Sequence, residues 1–83
     1  MANYQELIET VLSGTSDANI RFSELCSLLR RLGFDERIRG SHHVFRKQGT
    51  REKINLQPQS GYAKVYQVRQ IRKIFIEYGI RDV

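Results

Sequence analysis

Gly40-Ser41-His42-His43-Val44-Phe45-Arg46-Lys47 is the stretch on which the reading of this chain turns. It holds both histidines, with Arg37 and Arg39 before it and Arg51 and Lys53 after it. Gly40-Ser41 reads as a tight turn, because glycine accepts a positive φ without steric cost. His42 to Lys47 reads as a strand, with a β-branched residue and an aromatic in it. On the near side, Phe34 to Arg39 alternates as a first strand. On the far side, Gln48-Gly49-Thr50-Arg51 is a hairpin-type turn into a third strand, Glu52 to Gln57. Pro58 cannot continue a central ladder, so the third strand ends there. Short connections make the three strands an antiparallel meander.

Helices flank the meander. Tyr4, Leu7, Ile8, Val11 and Leu12 fall at helical spacing, so residues 4–12 read as an amphipathic helix capped by Asn3. A second helix is expected over Ser23 to Leu32, with Ser23 as its cap and Phe22 as a staple. Its stripe is Leu25, Cys26, Leu28, Leu29 and Leu32, and Gly33 closes it. Gln59 to Lys64 reads as a loop. A last helix runs from Val65 to Tyr78, with Val68, Ile71, Ile74, Phe75 and Tyr78 inward, and Gly79 ends it. The expected class is α+β, in the order α-α-β-β-β-α, with helices on one face of a three-stranded antiparallel sheet. Residues 1–83 make one domain.

Alternation along the strands sorts their side chains. Burying Ile38, Val44, Ile54 and Leu56 against the helices leaves an open face of Arg37, Arg39, His43, Phe45, Lys47, Lys53, Asn55 and Gln57. That face has four cations, a histidine, an aromatic and two amides, and no acid. Such a set suits single-stranded RNA: cations for phosphates, an aromatic for a base, amides for base edges. A slip of one residue would exchange the two faces, with Phe45 in the core and Val44 outward.

Charge supports a polyanion partner. The net charge is +5, distributed unevenly: residues 1–20 carry three acids and no Lys or Arg, and residues 21–83 carry all 14 cations against six acids. No run of residues is long and apolar enough for a membrane span, and no signal peptide is evident. The single Cys26 has no disulfide partner and reads as a small core residue in a reducing cytoplasm. His42 and His43 are neighbours on a strand and point opposite ways, so one metal ion is not expected to take both. No cysteine partner or acidic cluster is evident beside them, and no metal or cofactor is expected. Proton transfer by histidine is the best-fitting chemistry.

Gly40-Ser41-His42-His43-Val44-Phe45 resembles the Gly-Ser-His-His-apolar-aromatic signature of HicA toxins, bacterial mRNA interferases. Ser16 to Ile20 leading into Phe22, Ile54-Asn55-Leu56-Gln57-Pro58 and Tyr66 to Arg72 resemble one branch of that family, so the resemblance covers nearly the whole chain. It implies a fold like the double-stranded-RNA-binding domain, with the helix at residues 4–12 as an addition to it. It implies a metal-independent endoribonuclease whose catalytic histidine is His43, acting on mRNA in the cytoplasm and held by a HicB-type antitoxin. Arg37, Arg39, Lys47 and Lys53 would neutralise the phosphate, Phe45 would hold a base, and Asn55 and Gln57 would read base edges. His42 is the first candidate for a second acid/base group, ahead of Lys53 and Tyr62. The alternative is a non-catalytic RNA-binding module of the same fold.

Overall fold

The computed structural model describes residues 3–83; the first two residues of the expected domain lie outside that range. Helix α1 spans Tyr4–Ser13, α2 spans Phe22–Arg31 and α3 spans Val65–Glu77. Strands β1 (Asp35–Arg39), β2 (His42–Arg46) and β3 (Ile54–Leu56) form an antiparallel sheet in the order β1-β2-β3. A single turn of 3₁₀ helix, Asp17–Asn19, joins α1 to α2. The expected α-α-β-β-β-α order and the α+β class are therefore observed.

Local chemistry sets most element ends. The Asn3 side chain accepts the Glu6 N–H at the start of α1, and Gly14 (φ 73°) takes the left-handed conformation after it. After α2, Gly33 (φ 96°) lets Phe34 N–H return to the Leu29 carbonyl at 3.0 Å. The start of α2 differs from expectation, because Arg21, not Ser23, is the cap residue. The Phe22 N–H is taken by the Gly61 carbonyl, so a neighbouring loop does the work assigned to a serine side chain. That loop is itself ordered: Pro58–Gln59 (β4) pairs with Tyr62–Ala63 (β5) as a small hairpin, where the sequence suggested only a loop. Its turn uses Ser60 and Gly61, both at positive φ. Ala63 N–H donates to the Ile20 carbonyl, which fastens this hairpin to the start of α2.

The core lies between the helices and one sheet face. Ile8, Val11, Leu25, Leu28, Leu29, Phe45, Ile54, Leu56, Val68, Ile71 and Phe75 are fully buried. Burial of each such side chain contributes about 1.5–3 kcal/mol. The sheet register corrects the expected faces. Ile38 pairs with His43, Glu36 with Phe45, His43 with Leu56, and Phe45 with Ile54. Directly paired residues point to the same side, so Glu36, Ile38, His43, Phe45, Ile54 and Leu56 share the inner face. Ile38 and Val44 are not core residues: Ile38, though on the inner face, is 58 % exposed, and Val44 is half-buried on the outer face. Phe45, expected to be open to a base, is completely buried.

Candidate functional site

The inward turn of β2 places His43 under the first turn of α2. The Phe22 ring meets the imidazole edge-on, with ring centres 4.8 Å apart and planes at 79°. From β1, Glu36 reaches across, and its Oε2 lies 2.7 Å from His43 Nδ1. From the last turn of α2, Arg30 Nη1 donates to Glu36 Oε1 at 2.6 Å. Arg30 Nη2 is in turn held by Ser27 Oγ at 3.2 Å. One carboxylate therefore joins two donors from two different elements.

Glu36 is mostly enclosed, with 11 % of its side chain exposed. Burial alone would push its carboxyl up, but the hydrogen bonds from His43 and Arg30 outweigh burial and hold it below the usual carboxylate range. An ionised carboxylate at Nδ1 fixes the proton there, because only an N–H can bond to it. The free nitrogen of neutral His43 is then Nε2. It bonds to nothing among the described residues and is not sealed from solvent. The arrangement is a histidine with an orienting acid behind it and an open nitrogen in front, which is what proton transfer to or from a substrate requires.

Cys26 completes the surroundings. Its sulfur, a His43 ring nitrogen and a Glu36 oxygen all lie within 4.8 Å of one another. Burial pushes the thiol up to about 11, the Glu36 charge adds to that, and Arg30 opposes it. The expectation that no cysteine and no acid accompany the histidines is thus corrected for His43. Sequence reasoning missed Glu36, Arg30, Cys26 and Phe22, because the inverted faces put Glu36 on the opposite side from His43.

The other expected site residues are divided between the faces. Arg37 and Arg39 are exposed on the outer face with His42, whose Nδ1 lies 3.3 Å from Asn55 Oδ1. His42 therefore points away from His43, and the fold does not bring the two together. Lys53 is exposed just before β3. Lys47 turns inward, gives its ammonium to the Leu32 carbonyl and sits over the Phe34 ring. Gln57 is half-buried and bridges Ser41 Oγ to Lys64 Nζ. Tyr62 lies on β5 with the Arg21 guanidinium 5.5 Å above its ring. Among the described residues, no helix is long and apolar enough to cross a membrane.

The fold is thus an α+β domain with an acid-held histidine between a helix and the sheet. The family can be given more closely: residues 22–76 match the model described as the HicA toxin of bacterial toxin-antitoxin, and the chain belongs to that family. Membership implies a toxin's role and an antitoxin partner. No curated protein and no solved structure matches the chain. Helix α1 precedes the matched residues.

Proposed function

We propose that this toxin is a metal-independent endoribonuclease that cuts mRNA, with His43 as its acid/base residue and Glu36 as the residue that positions it. The observation that carries the reading is the 2.7 Å contact of His43 Nδ1 with Glu36, which leaves Nε2 as the open nitrogen. Nε2 takes the proton of a ribose 2′-OH. The 2′ oxygen then attacks the adjacent phosphorus, and the bond to the 5′ oxygen breaks. The imidazolium formed is stabilised by the Glu36 carboxylate. Its proton can be returned to the leaving 5′ oxygen. The exposed Arg37, Arg39 and Lys53 attract the RNA backbone electrostatically. A HicB-type antitoxin silences the toxin by covering the approach to His43.

The test is cleavage of a labelled mRNA by the purified protein in the presence of a chelator, with wild type beside His43→Ala. Cleavage by the wild type alone supports the reading. A folded His43→Ala protein that cleaves at the wild-type rate overturns it, and RNA binding without cleavage by the wild type favours a non-catalytic RNA-binding module.

A further inference from the structure

One buried sulfur has no part in that chemistry. Cys26 sits in the second turn of α2, where its packing could be supplied by any small apolar residue. Instead a sulfur, an imidazole nitrogen and a carboxylate oxygen converge from α2, β2 and β1, all within 4.8 Å. The three elements are held rigidly, since β1 and β2 are paired along their whole length and α2 is anchored by its buried leucines. From these donors the geometry points to a site for one thiophilic divalent cation of the zinc class, bound by Cys26 Sγ, Glu36 and His43 Nδ1, which takes His43 out of service. The inhibitory half of this inference rests on the function proposed above; the binding half does not.

The donor set and its charge fit that class of ion. Thiolate, imidazole and carboxylate are the three ligand types of zinc, and three protein ligands with a solvent molecule in fourth place is an ordinary arrangement. On binding, the Cys26 S–H bond is replaced by an S–metal bond and the proton leaves to solvent. One thiolate, one carboxylate, one neutral imidazole and a dication sum to zero, so the enclosed site stays electrically balanced. One side chain and one proton must move. Arg30 gives up Glu36 Oε1, which is open to it because 49 % of its side chain already faces solvent. The proton between His43 and Glu36 shifts to Nε2, because Nδ1 now binds the metal. The open nitrogen thereby becomes an N–H that cannot accept the 2′-OH proton, and Glu36 no longer orients the ring.

The experiment titrates Co²⁺ and then Zn²⁺ into reduced, metal-free wild type, Cys26→Ala and Cys26→Ser, the last retaining the volume should the first fail to fold. We expect one cobalt per wild-type chain, with a sulfur-to-cobalt charge-transfer absorption that stoichiometric zinc displaces. Both variants should lose that absorption and bind at least about 10-fold more weakly, in line with loss of a ligand or its support. RNA cleavage by the wild type should fall with zinc and return with chelator, and the Cys26 variants should keep cleaving at the zinc concentration that silences the wild type. Absence of the charge-transfer band in the wild type, or equal affinity in the Cys26 variants, overturns the site. Metal binding through Cys26 with no cleavage under any condition leaves the site standing and overturns the nuclease reading.

Discussion

Glu36→Gln is the sharpest test of the candidate site, because it preserves shape while removing the charge that both His43 and Arg30 use. Two outcomes compete inside the variant. If the amide oxygen faces His43, the Nδ1 proton stays, but the imidazolium formed in the reaction has no counter-charge. If the amide nitrogen faces His43, Nδ1 must become an acceptor and the proton moves to Nε2, the wrong tautomer for taking a proton from RNA. Either way the rate should fall by about 10²–10⁴-fold, which is about 3–5 kcal/mol of barrier. Stability should fall less, by about 1–2 kcal/mol, because Arg30 is half-exposed and returns to water. The assay is single-turnover cleavage of a short labelled RNA, run beside a urea melt that confirms folding. A folded Glu36→Gln protein with the wild-type rate would refute the positioning role and return His43 to an isolated side chain.

Other outcomes follow from the same structure. His43→Ala should abolish growth arrest and RNA cleavage in a folded protein, while a gel-shift or filter assay still records RNA binding that weakens with salt. Phe45→Ala should destabilise by about 3–5 kcal/mol in denaturant, because the ring is fully buried, whereas Ile38→Ser should change stability by less than about 0.5 kcal/mol. The Glu36 carboxyl is held below its ordinary value near 4.5, so its contribution is fully present above that pH and is lost as pH falls through the folded value. Melting temperature should therefore drop more steeply on acidification below about pH 4.5 in wild type than in Glu36→Gln.

How far the sequence could be read is clearest at the first hairpin. Caps, apolar stripes and turn residues located three helices and three strands, since those signals act over a few neighbouring residues. The phase of β2 came out inverted, while Ile54 and Leu56 on β3 are buried as expected, because Val44 and Phe45 are both credible core residues and a period-2 pattern cannot choose between them. The turn length could have chosen. A two-residue loop at Gly40-Ser41 pairs Arg39 with His42 and therefore Ile38 with His43, so those two must share a side. Placing Ile38 inward and His43 outward was inconsistent with that loop, and Glu36 was lost as a partner with it. The Arg30 and Cys26 contacts had no such signal, because they depend on how α2 lies across the sheet. The β4–β5 hairpin was hidden by its shortness: each strand has only two residues.

The clamp at Arg72 sets a schedule for the newborn chain. Its guanidinium grips both oxygens of Asp17 at 2.9 Å and also the Val11 carbonyl, 61 residues upstream. Ile8 and Val11 on α1 are sealed in the core partly by α3, which follows α1 and α2 in the chain. While α1 and α2 leave the ribosome, these apolar residues have no complete partner surface, and closing so long a loop is slow compared with forming local helices. Completion of the core around α1 thus waits for a helix that comes off the ribosome well after α1 itself. A chain interrupted before α3 leaves Ile8 and Val11 of α1 without their covering layer, so the pocket of α2, β1 and β2 is then carried on an incomplete core.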